Sequence, residues 1–135
     1  MRHLKIYILL LAIFLTVACS NKQKSDCSKF KNGSFSLYSE ITNTTLIINR
    51  NDSFQTETEK ETNKVTEWKV TWINDCEYNL LLTNDNFGLL KSGQLKTIPT
   101  FNYQIISTGD KYYIFKTQFS KSHPFVTDTI WKTDL

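Results

Sequence analysis

The sequence predicts an all-β fold, an antiparallel meander of about eight strands that curls into a small barrel or a curved half-barrel. The chain has 135 residues and contains no alanine from Cys19 onward, so strong helix formers are scarce. Residues that favour strands are abundant, and aromatic residues make up 13% of the chain. Turn residues recur at short intervals, which is typical of an antiparallel meander.

Alternation of apolar and polar residues places the individual strands. The predicted strands are residues 33–38, 44–50, 54–61, 65–73, 76–83, 101–107, 111–119 and 125–131. The clearest hairpin turns at Asn74-Asp75, because large apolar side chains alternate with polar ones on both sides of it. These side chains are Trp68, Val70, Trp72, Tyr78, Leu80 and Leu82. Residues 84–99 are the least regular and form a long loop or one short helical turn.

The hairpin between the second and third strands allows a prediction of register. A three-residue bulged turn places Leu46 and Ile48 beside Thr58 and Thr56, whereas a two-residue turn places them beside Glu and Gln side chains. The bulged turn keeps one face apolar, with Phe54 on it, so we predict that register.

Three carboxylates alternate along the third strand. Glu57, Glu59 and Glu61 would share one face, and several lysines lie nearby in the sequence. We expect a solvated outer face here. The alternative is a carboxylate ladder that binds a cation or a basic partner.

Closure of the meander would remove its exposed edges, so a barrel is the expected architecture and a two-sheet sandwich is the alternative. Residues 32–35, Asn-Gly-Ser-Phe, are similar to the Gly-x-Trp opening of lipocalin-type barrels. This resemblance implies a lipocalin-like barrel, although about 117 residues is short for one with a roomy cavity.

The first residues predict export and lipid anchoring. Residues 1–5 are basic, and residues 6–18 are uncharged and too short to span a bilayer, which needs ~20 residues. They suit a signal helix, followed by Leu-Thr-Val-Ala-Cys at 15–19. This resembles a bacterial lipobox with Thr16 at a position that usually holds Leu or Val. The resemblance implies a diacylglycerol on Cys19; a plain secretory signal and a short membrane anchor are the alternatives.

These boundaries divide the chain into three parts. Residues 1–18 are the predicted lipoprotein signal peptide, residues 19–26 a polar tether, and residues 27–135 a single β domain. The location follows: the cell envelope, on the periplasmic side of a membrane or at the outer membrane, with the membrane contacted through the N-terminal lipid.

Cys27 and Cys76 remain once Cys19 is assigned to the lipid. In an oxidising compartment they would form a disulfide that closes a loop of about 50 residues, a stabilisation of roughly 4 kcal/mol. Two free thiols are the alternative. Two cysteines and the lone His123 of the mature chain do not make a four-ligand zinc site, so we expect no metal.

Charge and motifs exclude several function classes. The net charge of +3 falls to +1 without Arg2 and Lys5, so a strongly basic nucleic-acid module and a polyacidic buffer are excluded. No phosphate-binding loop or nucleophile elbow occurs, and we expect no catalytic residues and no cofactor.

Aromatic side chains that fill the core or form a ligand or partner surface are the candidate site: Trp68, Trp72, Tyr112, Tyr113 and Phe115.

Three segments resemble a known family. Asp-Cys-Ser-Lys-Phe-Lys-Asn-Gly-Ser-Phe at 26–35, Arg-Asn-Asp-Ser at 50–53 and Trp-Ile-Asn-Asp-Cys-Glu-Tyr at 72–78, with the lipobox, are similar to small uncharacterised lipoproteins of Bacteroidota-type bacteria. Members often carry a DNA topoisomerase IV label, which this small, nearly neutral, exported chain does not support. The resemblance implies location and fold without an established activity.

The function expected from the sequence is therefore non-enzymatic. We predict a structural or protein-binding module of the envelope, whose partner is another envelope protein. The alternative is a lipocalin-like carrier of a small apolar ligand. A cavity of several hundred Å³ inside the barrel would favour the carrier, whereas side chains that fill the interior would exclude it.

Overall fold

The chain folds into a closed barrel of eight antiparallel strands joined as a meander, which confirms the predicted fold class. The computed structural model describes residues 26–40, 43–86, 88 and 98–134, so the predicted signal helix, Cys19 and most of the tether and of the 84–99 segment lie outside it. A short 3-10 helix, η1 (Ser28–Phe30), precedes the strands. They are β1 (Gly33–Ser39), β2 (Thr44–Arg50), β3 (Phe54–Glu59), β4 (Val65–Asn74), β5 (Glu77–Asp85), β6 (Thr100–Thr108), β7 (Tyr112–Thr117) and β8 (Val126–Thr133).

The β4–β5 hairpin follows its sequence pattern. Trp68 pairs with Leu82 and Val70 with Leu80, and all four side chains are buried inside the barrel. The polar residues between them face solvent, as period-two alternation requires. Asn74 pairs with Glu77, so the turn lies one residue later than predicted.

The β2–β3 register differs from the predicted one. Ile48 pairs with Glu57 and Leu46 with Glu59, which makes the turn longer than three residues. Asn51 sets this length, because its side-chain oxygen accepts hydrogen bonds from the backbone N–H groups of Ser53 and Phe54 at 3.0 and 2.8 Å. The bulged turn was therefore a wrong prediction.

The changed register turns the acidic side chains of β3 into the barrel. Glu57 and Glu59 point inward and Phe54 outward, with 57% of Phe54 exposed. The predicted solvated outer face is therefore wrong for these two residues. Glu61 lies beyond β3, where its carboxylate accepts the backbone N–H of Thr45 at 3.0 and 3.2 Å.

One end of the barrel, here called the base, is closed by the N-terminal lead. Phe30 of η1 is fully buried there. A disulfide joins Cys27, next to η1, to Cys76 in the β4–β5 turn, with 5.2 Å between their Cα atoms, so the predicted disulfide is confirmed. The Lys31 ammonium contacts the Asp75 carboxylate at 2.8 Å beside it.

The barrel closes between β1 and β8 through a short ladder. Ser34–Ser36 pair with Trp131–Thr133. Towards the other end, here called the mouth, an open cleft of about 500 Å³ lies between Tyr38 and Trp131 and includes residues 126–129. The backbone N–H of Thr129 is satisfied by the Asp128 carboxylate at 2.6 Å. Hydrogen-bonded pairing of β1 and β8 therefore closes the barrel at the base, whereas an open cleft lies between these strands towards the mouth.

Candidate ligand-binding cavity

The mouth half of the barrel encloses a cavity of about 330 Å³, here called the upper cavity. All eight strands contribute to its wall, as does the β7–β8 connection. The described residues that line it are Leu37, Ser39, Thr44, Leu46, Ile48, Gln55, Glu57, Glu59, Trp68, Tyr78, Phe101, Tyr103, Phe115, Phe119, Val126, Asp128 and Ile130. Most are apolar, and a few polar groups are spaced among them, which is the usual composition of a small-molecule site.

One side of the upper cavity is an aromatic wall, which comprises Trp68, Phe101, Tyr103, Phe115 and Phe119. Its rings pack on one another: Trp68 and Phe101 lie 5.7 Å apart between centroids, Phe101 and Phe119 5.3 Å, and Tyr103 and Phe115 5.1 Å. These contacts hold the rings in place without a ligand. The wall therefore forms a preformed apolar surface.

The opposite side is built from smaller residues, which is why the cavity is open. β1 and β2 contribute Leu37, Ser39, Thr44 and Leu46 at the levels where the aromatic wall stands across the barrel. An eight-stranded barrel has an interior just wide enough for large side chains to fill. Aliphatic and hydroxyl side chains on one side leave space unfilled.

The main polar group inside the cavity is the Glu57 carboxylate. Gln55 donates a hydrogen bond from Nε2 to its Oε1. Burial raises the pKa of this carboxyl above its usual value, while hydrogen bonds and the Arg50 charge offset part of the shift. The residue still faces open space, since Glu57 also lines the cavity.

Trp68 and Tyr103 flank Glu57. Trp68 is 9% exposed, and its indole N–H has no hydrogen-bond partner of normal geometry among the described residues. The indole is still close enough to the Glu57 carboxylate to lower that group's pKa. Burial, followed by the nearby Glu57 charge, raises the pKa of the Tyr103 phenol. Both donors thus remain protonated beside the carboxylate.

Two further carboxylates stand nearer the mouth. Glu59 accepts a hydrogen bond from the Thr62 hydroxyl, and Asp128 accepts the Thr129 backbone N–H. Of the described residues that line the cavity, three are acidic and none is Lys, Arg or His. The electrostatic potential inside the cavity is therefore negative.

Below the cavity, large buried side chains pack the barrel interior, and Tyr78 lies at the boundary between the two. This base cluster comprises Phe30, Phe35, Arg50, Tyr78 and Tyr113, each of them 5% exposed or less. The Arg50 Nη2 donates to the hydroxyls of Tyr78 and Tyr113, both at 2.9 Å. Its Nε donates to Gln55 Oε1, and its Nη1 makes a long 3.4 Å bond to the carbonyl of Phe30. Neutral acceptors thus satisfy a buried guanidinium, which stays charged at any ordinary pH.

The rings of the base cluster also surround Arg50. Its guanidinium carbon lies 4.4 Å from the ring centroid of Tyr78, 5.4 Å from that of Phe35 and 5.9 Å from that of Tyr113. Cation–π attraction of this kind is worth about 2 kcal/mol when the cation is desolvated. Burial raises the pKa of Tyr78 well above its ordinary value, so its hydroxyl stays neutral.

The structure divides the five aromatic residues singled out in the sequence. Trp68 and Phe115 line the upper cavity, whereas Tyr113 belongs to the base cluster. Trp72 packs on Tyr78 at 4.6 Å between ring centroids, below the cavity. Tyr112 points outward and packs on Trp131 at 4.9 Å. These five residues therefore do not form one surface.

Sequence reasoning missed the polar part of the site. Every residue of β3 after Phe54 is polar, so the inward face of this strand follows only from the register across the turn, and the predicted register put Glu57 outside. Arg50 ends β2 next to a polar turn, which in a sequence is typical of an exposed residue. The sequence contains one signal of this site. Gln55, Glu57 and Glu59 are spaced two residues apart, and the last two pair with the apolar Ile48 and Leu46 of β2.

Comparisons with known proteins add no assignment: no protein-family model matches the chain, and no curated protein or solved structure is significantly similar to it. Within the described ranges, no group of His, Cys, Asp and Glu side chains is arranged to hold a metal ion. None of the helical residues described forms a segment long and apolar enough to cross a membrane.

Proposed function

We propose that the protein is a lipid-anchored component of the cell envelope whose barrel binds a small, largely apolar ligand. The upper cavity supports this function: about 330 Å³ of open space, an aromatic wall and a few polar groups. Ligand sites commonly have volumes of ~300–1,000 Å³, so the cavity suits a compact molecule. The alternative expected from the sequence, a carrier, thus gains over a purely structural module.

Binding is tested on the full protein in phosphatidylcholine nanodiscs, with empty nanodiscs as the blank. The neutral fluorophore N-phenyl-1-naphthylamine should become brighter on binding in the upper cavity. Leu46→Trp should abolish the signal, because Leu46 points into the cavity and the larger ring occupies it. Ile47→Trp is the matched control, since the neighbouring side chain points outward. Absence of binding by the wild type, or equal loss in both variants, would contradict the proposal.

The proposed anchor is supported by the lipobox at 15–19, by the basic segment at 1–5 and by the uncharged segment at 6–18. Two or three acyl chains on Cys19 give durable membrane attachment, at about 0.8 kcal/mol per buried methylene. Cys19→Ser should move the protein out of the membrane fraction and remove the mass of the acyl groups, and Ser20→Ala is the control. Retention of Cys19→Ser in the membrane at unchanged precursor mass would indicate a membrane anchor instead.

A protein-binding function is the second candidate, and the outer cleft between β1 and β8 favours it. Tyr38 and Trp131 border this cleft and are 53% and 52% exposed. Exposed aromatic side chains are common anchors of protein interfaces. Trp131→Ala should then remove a cross-linked partner in intact cells, while Ile73→Ala, also at an exposed residue, should keep it. Identical cross-linking of both variants would exclude this surface.

A further inference from the structure

The upper cavity also indicates the chemical class of its ligand, an inference that rests on the proposed binding function. The charged groups in its described lining all have the same sign. The three charged residues in the lining, Glu57, Glu59 and Asp128, are all carboxylates. A neutral apolar molecule would cover these carboxylates without offsetting their charge, and an anion would be repelled by them.

Glu57 has unused capacity to accept hydrogen bonds. A carboxylate has about four acceptor positions; Gln55 occupies one of them, and the Trp68 and Thr66 side chains lie close enough to lower the pKa of Glu57 as further donors. The Trp68 indole, nine-tenths buried in the same wall, has no partner of normal geometry in the described chain. Buried polar groups are normally satisfied, so the remaining acceptor position of Glu57 indicates a hydrogen-bond donor on the ligand at this point of the cavity. The indole N–H, which can only donate, is left to the carboxylate itself.

Arg50 does not take up this capacity. It lies below the cavity and reaches Glu57 through Gln55, which accepts from the Arg50 Nε and donates to the carboxylate. Its remaining donors contact Tyr78, Tyr113 and the Phe30 carbonyl. Arg50 therefore supports the charge of Glu57 from one side and leaves its cavity side open.

The base cluster shows that this interior stabilises an organic cation. Arg50 is held there by aromatic rings and neutral oxygens, with no direct carboxylate contact among the described residues. The upper cavity offers aromatic rings of the same kind together with carboxylates, so it provides a stronger cation site.

We propose that the upper cavity binds a small amphiphilic organic cation, with its ammonium group on the Glu57 carboxylate and its apolar body against the aromatic wall. The ammonium donates to the cavity-facing lone pairs of Glu57. The apolar body covers Tyr103 and Phe115, while the Trp68 N–H completes the shell of the carboxylate. The acidic residues near the mouth attract the cation to the entrance.

The test compares three probes that share one body and differ in the head group: phenylbutylamine, phenylbutanol and phenylbutanoate. Calorimetric titration uses the full protein in phosphatidylcholine nanodiscs, with empty nanodiscs as the blank. The amine should bind at least about tenfold more tightly than the alcohol, because the ammonium adds the attraction of opposite charges to its hydrogen bond with Glu57. The carboxylate should bind most weakly, because the acidic residues of the cavity repel it.

Glu57→Gln should remove the preference, so that the amine and the alcohol bind with similar affinity. Glu67→Gln is the matched control, because Glu67 lies exposed on the outer face of β4. Equal binding of amine and alcohol by the wild type, or an unchanged preference in Glu57→Gln, would overturn the cation proposal and leave the binding function standing. No binding of any of the three probes would overturn both.

Discussion

The two halves of the barrel interior use the same strands for opposite results. In the base half, Phe30, Phe35 and Tyr113 pack with ring centroids 5.1–6.4 Å apart around Arg50, and the interior is full. In the mouth half, β1 and β2 carry Leu37 and Leu46, and about 330 Å³ stays open. The volumes of a few inward-facing side chains, together with the insertion of Phe30 at the base, decide whether a part of the interior is a packed core or an open cavity.

The comparison also separates two uses of buried charge. Arg50 is satisfied on several sides and connects η1, β2, β3, β5 and β7, so it stabilises the fold. Glu57 is satisfied on one side and faces open space. A charge that is surrounded by partners has a structural role, whereas a charge that lacks partners on one side is available to a ligand.

The largest expected effect is the loss of the base cluster through Arg50→Ala. The change leaves a void and removes the donors to Gln55, Tyr78 and Tyr113, so we expect a loss of about 3–5 kcal/mol in the free energy of unfolding. Urea denaturation measures it. Arg50→Lys keeps the charge without the planar donor pattern, so its free energy of unfolding should lie between those of the wild type and Arg50→Ala. A loss below about 1 kcal/mol would show that the base cluster does not stabilise the barrel.

Removal of the disulfide tests whether the two halves are independent. Cys27→Ala with Cys76→Ala should lower the free energy of unfolding by roughly 4 kcal/mol, because a long loop is no longer closed in the unfolded chain. Reduced wild-type protein is the control and should lose the same amount. Affinity for a neutral apolar probe, measured where both proteins remain folded, should not change. A parallel fall in affinity would mean that the N-terminal lead at the base influences the shape of the cavity.

A matched pair of leucines compares the packing of the two halves directly. Leu80 is 1% exposed in the packed interior, whereas Leu46 faces the cavity. Leu80→Ala should cost about 2–4 kcal/mol, since it creates a void that neighbours fill only in part. Leu46→Ala should cost about 1 kcal/mol, since one side of that residue has no contacts to lose. Equal costs in urea denaturation would mean that the cavity side of Leu46 is packed.

The sequence predicts most of the architecture because two periodicities are strong in it. Trp68, Val70, Tyr78 and Leu80 alternate without exception, so burial leaves a single choice of inward face for β4 and β5. The even pair Cys27 and Cys76 was predictable from the compartment that the lipobox implies. Both predictions depend on local pattern or on simple chemistry.

The site was less predictable, because it depends on quantities that no local pattern contains. The inward face of β3 follows from the length of one turn, which the Asn51 side chain sets through two hydrogen bonds. A shift of one residue moves Glu57 from outside to inside. The open volume is a sum over inward side chains of separate strands, so it could be tested only once all registers were known.

The smallest expected effect is a pH dependence of stability in the protein without ligand. Burial raises the pKa of Glu57 in the folded state above its value in the unfolded chain. Between these two values the folded state binds more protons, so the free energy of unfolding falls as pH rises. The contribution of the neutral carboxyl is complete below the unfolded pKa and is lost as pH passes through the folded one.

Glu57→Gln removes this titration, so its melting temperature should exceed that of the wild type by a margin that grows as the pH rises above the ordinary pKa of a glutamate side chain. Glu67→Gln, at an exposed position outside the barrel, is the matched control. A margin for Glu57→Gln that shrinks as pH rises would mean that the carboxylate form is the more stable one inside the barrel. Glu57 would then belong with Arg50 among the structural charges, and the distinction between the two halves would rest on volume alone.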